Sequence, residues 1–362
     1  MMITKNTITQ GQLVFLIIQT QIGITLLSLP YNAFTTAKGD AWIATLLAGS
    51  IAQFFTLIIW LLCRRYPNDT IFTLAPKLMG KMLGNVLSFT YIIFFIAVAT
   101  FQLVIYSRVL QKWVMVNTPI WITSLSMVIT GIYISKQLLN VTARLYMFVS
   151  VFLIILVFLV TYSFKDANIQ YILPIADSGW LPIFKGVKNV ANSAVGFEIL
   201  LVIYPFIQGK ASGKLKMMVI ANLLVTLFYT YVVFATLVYF SPQEMRILPE
   251  PVLYLTKSLS FHIIERTDLI FLTIWIIFVT TSFCNYVYSA ASGLATLFRS
   301  KSHTMFAPFV GIIAFFCSLI PQNKAAITVF SNLLSNFAII SIFILPLFLL
   351  FVSFARNKKR QE

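Results

Sequence analysis

Long apolar runs separated by short polar segments follow one another along nearly the whole chain. Within each run the apolar residues are continuous rather than alternating with polar ones, which indicates buried helices rather than half-buried strands. About 20 such residues cross the hydrocarbon of a membrane, where a helix satisfies its own backbone polar groups. The pattern predicts ten membrane-spanning helices, at residues 11–34, 41–62, 84–111, 119–135, 139–163, 187–208, 215–240, 267–298, 305–320 and 326–354.

The composition agrees with this interpretation. Hydrophobic residues make up 59% of the 362 residues, charged residues make up 10%, and the mean hydropathy is +0.92. Since a soluble domain carries about 25% charged residues, a soluble enzyme, a disordered chain and a disulfide scaffold are excluded. We expect a single all-α polytopic membrane domain over residues 1–362.

Few residues suit catalysis or cofactor binding. The three cysteines form no CxxC pair and the two histidines stand in separate connecting segments, so neither a metal site nor a cofactor is expected. At membrane depth the sequence offers no paired acid and base, no nucleophile triad and no metal cluster. We therefore do not expect an enzyme.

The net charge of +16 is distributed over the loops between the apolar runs. A basic chain could bind nucleic acid, but scattered loop charges are better explained by membrane topology. With ten spans, one set of loops carries sixteen lysines and arginines against two acidic residues, Asp69 and Glu362, and the other carries ten against seven. The positive-inside rule then predicts that both termini are cytoplasmic.

Two of the predicted spans contain glycine and small polar residues where a continuous apolar helix would be expected. The first span reads QTQIGITLLSLP from Gln19 to Pro30, and the sixth reads NSAVGFE from Asn192 to Glu198. They lie five spans apart, as in transporters built from a five-plus-five inverted repeat with discontinuous helices at the substrate site. The alternative is that Gly23 and Gly196 only permit close helix packing.

An interrupted helix exposes unpaired backbone groups that suit a zwitterion. N–H groups at the start of one half-helix favour a carboxylate, and carbonyl groups at the end of the other favour an ammonium. The breaks therefore predict a binding site for an amino acid or a similar small molecule.

Glu198 is the one acidic residue that falls within a predicted span. Charge at that depth is costly and is a functional hypothesis by default. Three roles remain open: a proton acceptor, a ligand for the substrate ammonium, or a hydrogen-bonding strut that holds the broken helix in shape.

Two further spans could line the same site. In the eighth span, Thr281 and Asn285 share one helix face and Ser282 and Tyr286 share another. These side chains could line a cavity or could simply bond neighbouring helices. In the third span an apolar wall could form from Phe94, Ala97, Val98 and Phe101. The default interpretation of these residues is an ordinary packing face.

The chain resembles the B subunits of bacterial spore germinant receptors, which are similar to the amino acid-polyamine-organocation transporters. The resemblance covers nearly the whole chain. It rests on the segment from Thr9 to Pro30, the loop RRYPNDT with the following segment from Lys77 to Gly84, and Gly196-Phe197-Glu198 with Tyr204-Pro205. It implies the LeuT-like fold with broken helices 1 and 6.

The resemblance also implies a function. It predicts a nutrient-sensing subunit in the spore inner membrane that works with A and C subunits, and the alternative is an amino acid transporter coupled to protons or sodium. The partners would be a small nutrient, the two subunits and membrane lipid. Together with the third-span wall, the predicted ligand site comprises Gly23, Ile24, Thr25, Leu26, Ala97, Val98, Ala194, Gly196, Phe197, Glu198, Thr281, Asn285 and Tyr286.

Overall fold

A computed structural model of the chain describes residues 6–177, 179–259 and 266–356, and these residues form helices without a regular strand. Of the terminal charges used to orient the chain, Lys5, Lys358, Lys359, Arg360 and Glu362 lie outside these ranges. The α-helices are α1 Gln10–Gln21, α2 Leu29–Ala37, α3 Ala41–Arg65, α4 Ile71–Met79, α5 Lys81–Trp113, α6 Ile120–Ser135, α7 Leu139–Val149, α8 Phe152–Tyr162, α9 Trp180–Ala191, α10 Leu200–Ile203, α11 Ala211–Tyr239, α12 Pro242–Met245, α13 Pro251–Ser258, α14 Thr267–Leu297, α15 Phe306–Ser318, α16 Lys324–Ala338 and α17 Leu345–Ala355.

Several helical segments are long and apolar enough to cross a membrane. Within the described ranges six reach that length: Leu29–Arg65, Lys81–Trp113, Leu139–Asp166, Ala211–Tyr239, Thr267–Leu297 and Lys324–Ala355. Shorter apolar helices occur at Ile120–Ser135, Phe197–Phe206 and His303–Ser318. The all-helical membrane architecture is confirmed, whereas the number of ten spans stays a prediction.

The first predicted span is broken at Gly23. Helix α1 begins with a capping box between Thr9 and Gln12 and ends at Gln21. Ile22 is extended, and after Gly23 the chain forms a 3₁₀ turn, Ile24–Leu27, before α2 begins with Pro30 in its first turn. Proline is tolerated at that position because its missing N–H would have no helical partner there.

The sixth predicted span is broken at Gly196. Helix α9 begins at Trp180, seven residues earlier than predicted, because Pro182 falls in its first turn. After a 3₁₀ turn, Asn192–Ala194, and the extended Val195, Gly196 adopts φ +133°, which a side chain would disfavour. The chain continues through Phe197–Ile199 and α10 to Phe206.

Glycine at the break also lets the two broken segments approach closely. A Cβ atom on Gly196 would lie 2.8 Å from Cα of Gln21. Similar close approaches hold other helices together, since a Cβ on Gly49 of α3 would meet the side chain of Thr226 on α11. Small residues allow such close packing in membrane bundles. There, van der Waals contact rather than the hydrophobic effect holds helices together, because lipid is as apolar as the side chains.

Candidate functional site

A cavity of about 830 Å³ begins at the first helix break and extends along one side of it. Its inner end contains Gly23, Ser282 and Tyr286, and it extends past α2 and α9 to exposed residues of α16 such as Thr328. On the opposite side of the break, Ile8 is bonded through its backbone to Phe206 and Gln208 at 2.9 Å each. The site is therefore reached from the α2 side and closed on the α1 side.

The carbonyl groups at the end of α1 already accept hydrogen bonds from side chains of other helices. The Ser282 hydroxyl donates to the Thr20 carbonyl at 2.8 Å, and the Tyr229 hydroxyl donates to that of Gln21 at 2.7 Å. The Trp275 indole N–H donates to the Gly23 carbonyl at 3.2 Å. The sequence predicted that these carbonyls lack hydrogen-bond partners, and the structure differs from that prediction. Each carbonyl oxygen still has a second lone pair.

Two side-chain amide oxygens, in residues that line the inner end of the cavity, are buried without a hydrogen-bond partner among the described residues. They are Oε1 of Gln21 and Oε1 of Gln102, in side chains that are 3% and 4% exposed. An unpaired acceptor at such a depth costs about 1–3 kcal/mol. A ligand that donates hydrogen bonds would remove this cost.

The hydrogen-bond network fixes the orientation of both amides. The Ser282 hydroxyl donates its only proton to the Thr20 carbonyl. Its oxygen can therefore only accept the hydrogen bond that joins it to Gln102, so the donor at 2.8 Å is Nε2. Nε2 of Gln21 donates to the Ala194 carbonyl at 2.9 Å and to Oδ1 of Asn222 at 3.2 Å. In each case the unpartnered atom is the oxygen rather than the nitrogen.

Glu198 holds the second break together. One carboxylate oxygen accepts the backbone N–H of Gly196 at 2.7 Å, and the other accepts the hydroxyl of Tyr286 at 2.9 Å. The side chain is completely buried and does not line the cavity. Of the three roles left open by the sequence, this geometry favours the strut.

Both polar faces of α14 bond α1, but only one of them lines the cavity. Ser282 and Tyr286 line the cavity. The other pair bonds to α1: the Thr281 hydroxyl donates to Oε1 of Gln19 at 2.6 Å, and Asn285 donates to the Thr20 hydroxyl at 2.7 Å. The packing alternative therefore describes Thr281 and Asn285.

The predicted site residues fall into two groups. Those that line the cavity are Gly23, Ile24, Thr25, Val98 and Tyr286. Those outside its lining are Leu26, Ala97, Ala194, Gly196, Phe197, Glu198, Thr281 and Asn285. Apart from the half-buried Ala97, the residues of the second group are buried in the packing between helices; Leu26, for example, is completely buried.

The wall that α16 contributes to the cavity was not predicted from the sequence. Thr328, Asn332 and Asn336 recur every four residues, so they share one face of the helix, and all three are exposed and line the cavity. Val329 and Leu333 of the same helix are exposed but do not belong to the lining. The polar spacing within an apolar span was the signal that could have identified this wall.

The lining carries little charge. Among its described residues Lys188 of α9 is basic, and no aspartate or glutamate belongs to the lining. The cavity therefore suits a neutral, zwitterionic or anionic molecule better than a cation.

Comparison with known proteins identifies the family. Residues 7–327 match the family described as "Spore germination protein". The chain belongs to this family. Spore germination protein YndE of Bacillus subtilis (strain 168) is 27% identical over 361 residues, which cover 99% of this chain and 98% of the relative. Spore germination protein GerQB of Bacillus cereus is 27% identical over 96% of each chain, and spore germination protein A2 of Bacillus subtilis (strain 168) is 27% identical over 93% of each.

A solved structure supports the fold of this spore germination protein. The chain is similar to Mhp1, a nucleobase-cation-symport-1 family transporter in a closed conformation with bromovinylhydantoin bound. The TM-score is 0.65 over 94% of this chain and 78% of Mhp1, at 12% identity. The LeuT-like fold expected from the sequence is thereby confirmed. The relatives and the fold neighbour point to a permease-like integral membrane protein and away from an enzyme.

Proposed function

We propose that the protein is the nutrient-sensing subunit of a spore germination receptor and binds an amino acid or similar small germinant between broken helices 1 and 6. The observation that carries this proposal is the cavity at Gly23 with the unpartnered oxygens of Gln21 and Gln102 at its inner end. The family assignment supports a role in germination, and the fold neighbour, which has a small molecule bound, supports a ligand site.

The proposed contacts match both charged ends of an amino acid. The ammonium donates to the two amide oxygens, which have no other donor among the described residues. The carboxylate approaches the backbone N–H groups at the start of the 3₁₀ turn Ile24–Leu27, which a helix start leaves without helical partners. Lys188 adds a favourable positive charge on the route to the site.

Signalling requires that the ligand bind two arrangements of the helices unequally. Tyr286 lines the cavity and bonds Glu198, so a ligand that shifts Tyr286 acts directly on the broken sixth helix. In the proposed assembly, which lies in the spore inner membrane, A and C subunits respond to this change. Both termini of this chain are cytoplasmic in the proposed topology.

The alternative is a transporter coupled to protons or sodium. In such folds the carbonyls at half-helix ends coordinate the coupling cation. Here O–H and N–H donors from Ser282, Tyr229 and Trp275 point at those carbonyls and would repel a cation. This arrangement argues against coupling to sodium and so favours a sensor over a sodium-coupled transporter.

Proteoliposomes distinguish the two functions. The purified protein is reconstituted with an outward or inward gradient of protons or sodium, and binding and uptake of labelled amino acids are measured on the same preparation. Saturable binding without accumulation supports the sensor. Accumulation that depends on the ion gradient supports the transporter and contradicts the proposal.

A further inference from the structure

Helix α16 lies beside the route from the mouth of the cavity to the break. Cavity-lining residues run along it from Ile327 through Asn332 and Asn336 to Ile339, where the α-helix changes into a π-helical segment, Ile339–Ile344. At a rise of about 1.5 Å per residue, Asn336 lies only about 5 Å along the axis from Ile339, and Asn332 lies one turn further out. Asn336 and Asn332 therefore line the same cavity as the break at Gly23, and a ligand that extends from the break along α16 meets them.

The polar face of α16 is expensive to keep in a membrane unless it meets water or a polar molecule. Leucine or valine would serve at these positions if they faced lipid, and such residues do occupy the exposed positions Leu333 and Val329 outside the cavity lining. Asn332 and Asn336 each present both a donor and an acceptor, so they match a group that can do the same. Hydroxyl and carboxamide groups have this property, whereas alkyl groups do not.

The charges of the lining residues limit the class of ligand further. A ligand with a second cationic group would find no carboxylate among the described lining residues, and Lys188 would repel it. We infer that the protein selects germinants with a polar, uncharged side group, such as a hydroxyl or carboxamide, and that Asn336 and Asn332 of α16 recognise this group by hydrogen bonds. This inference rests on the proposed function and adds the class of ligand to it.

Isosteric ligand pairs test the inference without any mutation. Threonine and valine have nearly the same shape, as do asparagine and leucine, and each pair differs in hydrogen-bonding capacity. Their dissociation constants are obtained from ligand-dependent thermal unfolding of the purified full-length protein in lipid nanodiscs. We expect the polar member of at least one pair to bind about 5- to 10-fold more tightly, as one added hydrogen bond predicts.

Variants of α16 then test which residues are responsible. Asn336→Leu and Asn332→Leu should each reduce the preference for the polar member, and the matched control Leu333→Val, which lies outside the cavity lining on the same helix, should leave it unchanged. Because the two asparagines lie a turn apart, either variant remains informative if the other fails to fold.

The outcomes separate this inference from the function on which it rests. If valine and leucine bind as tightly as their polar partners, or if the preference survives both α16 substitutions, the ligand class is wrong and the sensor remains. If none of the four probes stabilises the wild-type protein, both proposals are overturned.

Discussion

The Tyr286 hydroxyl donates a 2.9 Å hydrogen bond to Oε1 of Glu198 and so ties the cavity wall to the broken sixth helix. The other carboxylate oxygen holds the N–H of Gly196, which lies against Gln21 of the first broken helix. A single buried side chain thus connects α14 with the sixth helix at its close contact with the first. This explains why an acidic residue is present at membrane depth without a basic partner.

Glutamine at position 198 should be tolerated and leucine should not. Glu198→Gln keeps an oxygen for the Gly196 N–H, and its amino group can donate to the Tyr286 oxygen, so ligand affinity should change less than threefold. Glu198→Leu leaves two buried groups unpaired, at a cost of about 1–3 kcal/mol each. Thermal unfolding in detergent and ligand binding between pH 6 and pH 8, roughly the range in which a tuned proton carrier titrates, measure both effects.

A strut and a proton carrier differ in this experiment. The strut predicts that wild type and Glu198→Gln have the same pH profile of binding. Loss of a titration step in the glutamine variant would show that Glu198 exchanges a proton and would contradict the assignment.

Gly196 should be far less replaceable than Gly80, although both have positive φ, at +133° and +83°. A Cβ on Gly80 meets no atom within 4 Å, whereas one on Gly196 would lie 2.8 Å from Cα of Gln21. Gly80→Ala should cost about 1–3 kcal/mol from backbone strain alone, and Gly196→Ala should cost about 1–3 kcal/mol more because overpacking is added. Equal unfolding temperatures for the two variants would contradict the close approach of the broken helices.

Much of this arrangement could be predicted from local sequence. The breaks at Gly23 and Gly196 were predictable because glycine and small polar residues interrupt otherwise apolar runs. The polar face of α16 could also have been predicted, since Thr328, Asn332 and Asn336 are spaced four residues apart. It was not among the cavity walls predicted from the sequence.

The remaining features depend on contacts between residues distant in the chain. Gln21 is oriented by Asn222, 201 residues away, and no local pattern encodes that pair. For the same reason the sequence could not decide which face of α14 lines the cavity. Thr281 and Asn285 bond α1 because of how the helices cross, and both faces carry similar polar residues.

Ligand binding should not require sodium. The carbonyl oxygens of Thr20, Gln21 and Gly23, which would coordinate a cation, accept hydrogen bonds from side chains instead. Replacing sodium by choline at constant ionic strength should therefore change the dissociation constant less than twofold. A tenfold weakening without sodium would indicate a coupling site and favour the transporter.

Binding of the ligand at the first helix break is tested most directly by side chains of increasing size at Gly23. A Cβ there would lie 3.4 Å from the Ser282 hydroxyl oxygen, an ordinary contact, so Gly23→Ala should fold and bind. Gly23→Leu projects toward Ser282 and Gln102 at the inner end of the cavity. The matched control is Gly11→Leu, at an exposed position of α1 where the nearest neighbouring atom is 4.0 Å away.

The decisive measurement is the dissociation constant of the germinant for these three variants, each compared with its own ligand-free unfolding temperature. We predict near wild-type affinity for Gly23→Ala and Gly11→Leu, and at least about tenfold weaker binding for Gly23→Leu at a similar unfolding temperature, since a filled cavity excludes the ligand. Wild-type affinity in a folded Gly23→Leu protein would show that the ligand binds elsewhere.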